Sequence, residues 1–597
     1  MREFHYTWTY DLNSPPEALW PLVSDTNRFN RDTLLPQAEL LGIEKGVRHV
    51  RYKFPIIAVE WDEEPFEWIY PYRFGILRRY RKGPLAEMRV DCRLERREPN
   101  GTHLIYQAWV RPANPLGVIG IPLAIGFASA RLFEQVYHRY DEIVSREDRT
   151  LVPLSGRNLG PGGRSRLEIQ GRQLQAQGTS TDLIVRLTEF LDRADEISVQ
   201  RIRPYALADA WGVDRRSVLE MFLRATRLGL LDLYWELLCP ECRGTSEGHG
   251  HLSEVNAHSH CKTCNIDFNA NFDHNVEVVF RPNPTVRTVS ETLEFCVGSP
   301  QRQPHVMLSL IVPAGEELPL RTVLSAGRYT LKVDGLRGSM ALIAAPNGQD
   351  TLVIEAVTSG WPGEETPVSL TPYLKLVNHT GEHRIFELVR TMWSDQASTA
   401  ADVTNLQVFR DLFSSEVLRP GEEISVGSVT LMFTDLRDST KLYRLIGDAT
   451  AFGRVREHFD VLEKSVAEEG GALIKTMGDS VMAAFRHPAQ ALRAIRIAQM
   501  RLSHREPRLW LKAGIHVGPC IVVNLNERLD YFGSTVNLAA RLPDFSSGGE
   551  IIFSEAIRHD TDVEDFLSQA IAPNALSPFQ AQIRGLDEPM QLWKIKL

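Results

Sequence analysis

A buried strand that ends on a carboxylate, followed by a hairpin carrying a second one, most constrains what this chain can fold into. SVTLMFT at 428–434 is apolar and β-branched, as a strand covered on both faces requires, and Asp435 ends it ahead of a helix expected from Ser439. Further along, GALIKT at 471–476 and SVMAAF at 480–485 flank Met-Gly-Asp, which reads as a hairpin whose turn carries Gly478 and presents Asp479. If the two strands are neighbours, both carboxylates meet at one sheet end. Lys475 lies on the first hairpin strand, and LDYFGSTVNLAAR adds Asp530, then Asn537 and Arg541, which are four apart and so share one face of an expected helix.

Singly, each residue has an ordinary role. An Asp after a strand is usually a helix cap, a strand Lys is usually solvated, and Asp-Tyr-Phe-Gly is a turn. Together they suit a metal-bound triphosphate, because hard divalent cations take carboxylate oxygens and share phosphate oxygens. A nucleotide-processing enzyme is therefore the first functional class.

At 597 residues the chain exceeds one core, and roughly 150 residues per domain implies about three to five units. A hydrophobic content of 43% and a charged content of 24% are those of an ordinary soluble globular protein. A net charge of -9 gives no global attraction to nucleic acid or to an anionic membrane, which argues against both as partners. MREFHYTWTY lacks the basic and apolar regions of a secretory signal. LGVIGIPLAIGF at 116–127 is too short to span a bilayer and contains Pro122, so a buried helix is expected there. Of seven cysteines, four form two CxxC pairs while Cys92, Cys296 and Cys520 are scattered, which fits a reducing cytoplasm with one metal site.

Residues 1–150 read as strands closed by a long helix from about Ile119 to Ile143, a curved antiparallel sheet wrapped on one helix. With SPPEALWPLVSDTNRFN in the place of a first helix, this segment resembles the helix-grip family of START and polyketide-cyclase-like domains. The resemblance leaves room for a small apolar ligand, or for an empty scaffold that docks another domain; a regulatory protein is a candidate partner of the central domains. A Gly/Ser/Arg-rich linker is expected at 151–181. Over 182–238 the pattern is helical, and ALADAWGV followed by DRRSVLEMFLRATRLGLL resembles a helix-turn-helix or winged-helix unit. Arg215, Arg216, Arg224 and Arg227 could meet phosphates, but the acidic residues around them favour a structural or protein-docking role.

Over 239–275, Cys239 and Cys242 are separated from Cys261 and Cys264 by 18 intervening residues, the spacing of two knuckles closing a tetrahedral Zn²⁺ site. Four thiolates leave no open position, so zinc there is expected to be structural. Short strands with Pro and Gly between them read as a β-sandwich-like domain at 276–420. The knuckles, with QPHVMLSLIVPAGE and GRYTLKV, resemble a poorly characterised region that occurs upstream of cyclase domains.

Over 425–597, FTDL, IKTMGDSVMAAF, KAGIHVG and DYFGSTVNLAARL resemble a class III nucleotidyl cyclase catalytic domain. The resemblance implies a ferredoxin-like fold in a multidomain α+β chain, working as a homodimer with sites across the interface. It implies that Asp435 and Asp479 hold two Mg²⁺ or Mn²⁺ ions per site, and that Lys475 and Asp530 from the partner chain recognise adenine. By the same resemblance Asn537 positions the ribose, Arg541 stabilises phosphate charge, and Lys512 and Arg584 meet the terminal phosphates. Pro519, after GIHVG, departs from the pattern and is expected to disturb the following strand. The first reading is an adenylate cyclase acting on ATP. The alternatives are a guanylate cyclase, which Lys475 and Asp530 oppose, and a non-catalytic nucleotide- or DNA-binding regulator.

Overall fold

The computed structural model describes residues 3–44, 47–55, 57–146, 159–240, 245–261, 266–289, 295–296, 300–303, 305–336, 338–357, 365–390, 396–419, 421–504, 506, 508–585 and 588–597. The chain partitions into two units, one of 1–157, 193–200 and 289–395, the other of 158–192, 201–288 and 396–597.

In the first unit, Gly101–Pro112 alternates buried and half-buried residues and pairs antiparallel with both Phe4–Leu12 and Leu85–Arg97. Against this sheet lies the helix Ser129–Ser145, with Phe133, Val136, Tyr137 and Tyr140 buried at helical spacing. Phe29, Tyr106, Phe133 and Tyr137 pack ring on ring with centroids 5.0 to 6.5 Å apart. These rings form part of the interior surface that the sheet and helix enclose. Asp141 is buried on the same helix because it accepts from the amides of Asn13 and Ser14 at 2.8 and 2.9 Å.

The short strand Glu67–Ile69 then pairs with Val306–Val312, and the two segments share one 14-stranded sheet. Trp68 Nε1 donates to the Val306 carbonyl at 2.8 Å, and the Glu67 carboxylate accepts from the Ile311 amide at 3.0 Å. A free edge of amides and carbonyls is a template for another strand. Here it is covered by the later β segment, which the sequence had made an independent sandwich.

The helix expected to be buried is uncovered at its start. Pro115–Ile121, a π-helical turn at Pro122–Ala128 and Ser129–Ser145 form one 31-residue helix, long and apolar enough to cross a membrane. Leu116, Ile119, Leu123 and Phe127 are 65 to 74% exposed. The π turn begins at Pro122, which supplies no amide to the helix ladder.

In the second unit the expected linker is partly a helix, Gly163–Ala176, with Leu167 and Leu174 buried. Gly171 lets it approach Thr181–Arg193 closely: an added Cβ would lie 3.3 Å from an Ile184 methyl. Pro204–Trp211, a turn at Gly212 with φ 65, and Arg215–Arg227 follow. Arg215 is held by Asp209, Arg216 by Glu220 and the Ala467 carbonyl, and Arg224 by the Gln177 carbonyl. Three of the four arginines considered for phosphates are thus engaged within the unit. Val276–Pro282, assigned by sequence to the β segment, pairs here with Leu231–Leu238.

The C-terminal sheet runs Ala472–Met477, Ser480–Phe485, Glu423–Leu436, Leu511–Leu525, Glu550–Ser554, Met590–Lys596, Leu576–Ala581, with Arg528–Phe532 added to Leu511–Leu525. Helices Asp448–Glu468 and Pro488–Ser503 share its core through Leu462, Val466, Leu492 and Ile495, packed with Met432, Ile515 and Phe553. Pro519 lies within Leu511–Leu525, and the ladder to Glu423–Leu436 shifts register between Val426 and Val429, opposite it. The Gly427 and Ser428 amides at that break donate instead to Asp273, at 2.5 and 3.2 Å.

His516 is buried in this sheet beside Ser554, with Nδ1 2.7 Å from the Ser554 hydroxyl, and burial lowers its pKa to about 4. A histidine depressed in the folded state binds its proton first in the unfolded chain, so stability is lost as pH falls from about 6.5 towards 4. The loss reaches on the order of 3 kcal/mol, and His516→Gln should flatten the dependence in urea unfolding followed across that window.

Candidate active site

Strand pairing brings the two carboxylates to one end of the C-terminal sheet. Thr434 pairs with Val481, so Asp435 comes level with Ser480, whose hydroxyl donates to Asp435 Oδ1 at 2.9 Å. Met477 pairs with Ser480, leaving Gly478 and Asp479 as a two-residue turn, and Gly478 has the positive φ, 66, that such a turn needs. Asp479 Oδ2 is buried and has no hydrogen-bond partner. A buried acceptor in that state lacks a donor or a cation, so the donor set fits a divalent ion. Among the described residues no group of three or more His, Cys, Asp or Glu is placed to hold a metal. Two carboxylates that leave coordination positions for phosphate oxygens do not need a third.

Lys475 and Asp530 meet on the second part of the site. Lys475 Nζ lies 2.5 Å from Asp530 Oδ2, and Oδ1 accepts from the Tyr531 amide at 2.8 Å. Asp530 is 5% exposed. Asp435, Lys475, Met477, Ser480, Val536 and Ala540 line one cleft of about 390 Å³. A larger groove of about 530 Å³, lined by Arg493, Met500 and Phe566, contains none of the predicted residues.

Asn537 is exposed on the short helix Ser534–Ala539. Arg541 lies just beyond it, ahead of the 3-10 turn Leu542–Phe545, so the expected single helix carrying both is interrupted. The Arg541 guanidinium approaches Gly585, where an added Cβ would lie 3.1 Å from Nη1, which brings it beside the exposed Arg584. Lys512 is the cross-strand neighbour of Asp435. Lys512 is thus beside Asp435 and Arg541 beside Arg584, while of the predicted residues only Asp435 and Lys475 are among those that line this cleft.

Two participants were not singled out in sequence. Ser480 follows the turn and orients Asp435. His458 is buried with both ring nitrogens unpartnered, and burial, opposed by the nearby Asp479, lowers its pKa to about 4, so the imidazole is neutral. A histidine within a regular amphipathic helix gives no sequence signal of either fact.

Cys239 and Cys261 are buried, whereas Cys242 and Cys264 of the predicted zinc site lie outside the described residues.

Residues 422–570 match the family Adenylate and Guanylate cyclase catalytic domain, and residues 169–294 match a family of unknown function, DUF5939. An adenylate cyclase of Lachancea kluyveri is 30% identical over 174 residues, 24% of this chain and 9% of that protein. Adenylate cyclase 1 of Rhizobium meliloti is 31% identical over 150 residues, 22% of this chain and 23% of that protein. The chain therefore spans less than a quarter of each of these relatives. A solved structure of Trypanosoma brucei adenylate cyclases in their monomeric state is 21% identical, covering 28% of this chain and 88% of that one, at a TM-score of 0.26.

Asp530 is too buried to lose its cation without cost. Lys475→Ala should lower stability by about 2 kcal/mol, and adding Asp530→Asn should recover at least half of that in urea unfolding.

Proposed function

We propose that this chain, which carries a nucleotidyl cyclase catalytic domain at its C-terminus, is an adenylate cyclase that converts ATP to 3',5'-cyclic AMP and pyrophosphate as a homodimer. The observation that carries this reading is the Lys475–Asp530 pair, in which a buried carboxylate is held by a strand lysine.

The pair suits adenine. The ammonium retains protons beyond the one given to Asp530, and a carboxylate oxygen accepts more than one hydrogen bond. Lys475 can therefore donate to adenine N1 while Asp530 accepts from the N6 amino group. Guanine presents an acceptor at position 6 and an N–H at position 1, which reverses both roles, and buried groups left unpaired reject such a ligand strongly.

Asp435 and Asp479 would hold two Mg²⁺ or Mn²⁺ ions, which supply charge neutralisation on the triphosphate and acidify the attacking hydroxyl. Ser480 keeps Asp435 turned towards the cleft. Asn537 bonds and orients the ribose so that its 3'-hydroxyl faces the α-phosphorus. Arg541 donates to the α-phosphate oxygens as charge builds on them, a contribution of about 3 kcal/mol for a preorganised donor. Lys512 and Arg584 bind the terminal phosphates and stabilise the departing pyrophosphate.

In a homodimer the carboxylates of one chain meet the lysine, aspartate, asparagine and arginine of the other. The upstream segments then act on activity by changing how the two chains meet. Zinc at Cys239, Cys242, Cys261 and Cys264 remains our reading of the two CxxC knuckles from their spacing alone.

Purified chain incubated with ATP or GTP and Mg²⁺ or Mn²⁺ should yield cyclic AMP from ATP and little cyclic GMP; absence of cyclic AMP from a dimeric preparation refutes the reading. Asp435→Ala and Arg541→Ala should each lose about 100-fold or more, and an equal mixture should regain about a quarter of wild-type activity if sites are shared. Metal analysis should find zinc in the purified chain, and a fully folded chain without it contradicts the thiolate site.

A further inference from the structure

The Lys475–Asp530 pair joins two strands that the catalytic sheet itself holds weakly. Among the described residues, Ala472–Met477 is an edge strand that pairs with Ser480–Phe485 alone, its register shifting between Leu473 and Lys475, and Arg528–Phe532 pairs with Leu511–Leu525 alone. Neither strand touches the other through the ladder, so the lysine-to-carboxylate distance needs a second support.

One short stretch ahead of the catalytic domain supplies it. The side-chain oxygen of Gln407, at the start of the helix Gln407–Leu412, accepts from the Leu473 amide at 2.8 Å, two residues before Lys475. Arg410 donates to the Leu529 carbonyl at 3.0 Å, one residue before Asp530, and to the Thr404 carbonyl at 2.9 Å. Its guanidinium also lies 5.8 Å from the ring centroid of Tyr531, one residue after Asp530. The Tyr531 hydroxyl donates to Asn405 Oδ1 at 2.8 Å. The Leu529 carbonyl before Asp530, the Tyr531 side chain after it and the Leu473 amide near Lys475 are thus all held by residues 405–410.

The grip is itself anchored. Phe409 packs edge-on against Trp235 at 5.9 Å, and Trp235 Nε1 donates to Glu416 at 3.2 Å. Burial pulls the Arg410 pKa below its ordinary value, against the opposing influence of Tyr531 and of the nearby Asp530 charge. A desolvated guanidinium spent on two backbone carbonyls holds position better than it offsets charge.

We infer that Asn405, Gln407 and Arg410 are positioning residues that set the separation of Lys475 and Asp530 and thereby the purine selectivity of the site. The inference rests on the base-recognition reading above. Movement of this helix would alter nucleotide affinity and choice before it altered the chemical step.

The test uses the full chain, with steady-state kinetics on ATP and GTP and thermal unfolding of each variant. Arg410→Ala should raise KM for ATP roughly tenfold and lower the ATP-over-GTP ratio of kcat/KM roughly tenfold, with kcat changed less than about threefold. Arg410→Lys, which keeps charge but reaches fewer acceptors, should fall between the two. Gln407→Ala and Tyr531→Phe should move KM and the ratio in the same direction by about two- to threefold, and they decide the matter if Arg410→Ala does not fold. Asp530→Asn serves as the reference for base recognition. If it shifts the ratio while the Arg410, Gln407 and Tyr531 variants leave ratio and KM unchanged, or lose kcat in step with melting temperature, the positioning role is overturned. If Asp530→Asn leaves the ratio unchanged, base recognition by this pair fails and the positioning role fails with it.

Discussion

A carboxylate with 5% of its surface exposed organises the catalytic half of the second unit. Burying an ionised group costs several kcal/mol unless it is paired and hydrogen-bonded, and Asp530 has both a cation and a backbone amide. Its partner Lys475 comes from an edge strand three positions before the turn that begins at Gly478. The desolvated pair ties a peripheral strand to a distant part of the fold. The same strand therefore delivers Lys475 and, through its turn, the second carboxylate. Electrostatic need at the Lys475–Asp530 pair thus helps fix the geometry of the hairpin that carries Asp479.

A similar logic operates at the entry to the catalytic sheet. Pro519 has no amide to give, and the facing strand bulges there; the Gly427 and Ser428 amides that the bulge takes out of the ladder donate to Asp273 from the preceding segment. Asp273 also pairs with Arg486, at the end of the hairpin strand Ser480–Phe485, and Arg486 lies 3.4 Å from Asp402. Desolvation raises the Asp402 pKa, against the pull of Arg486. The segment of uncharacterised family thus completes the catalytic sheet with its own polar groups, and the sheet's hydrogen bonding is unfinished without it.

The placement of the candidate site residues was legible where they sit at points of strong local rules. Alternation and β-branching mark Glu423–Leu436, and Gly-Asp between two apolar runs marks the hairpin, whose pairing leaves those two residues as the turn. Arg541 escaped its expected helix because residues Leu542–Phe545 tighten into a 3-10 turn led by Pro543, which periodicity alone does not announce. Long-range pairing was not legible. Nothing local shows that Glu67–Ile69 takes Val306–Val312 as its neighbour, or that Val276–Pro282 leaves the β segment for Leu231–Leu238. The helix at 163–176 was hidden by Gly and Gln, whose role depends on a close-packed neighbour. Leu116, Ile119, Leu123 and Phe127 read as core from composition, but composition carries no information about what covers a helix.

The turn at Gly478 and Asp479 also sets a limit on how this site can change over descent. Successive strand residues face opposite ways, so one residue gained or lost between Lys475 and Ser480 would turn the lysine to the other face or carry Ser480 out of register with Asp435. Neither change leaves a partly working intermediate. Insertions and deletions are therefore closed as routes to a new nucleotide preference in this hairpin, and only exchange of one side chain for another remains open.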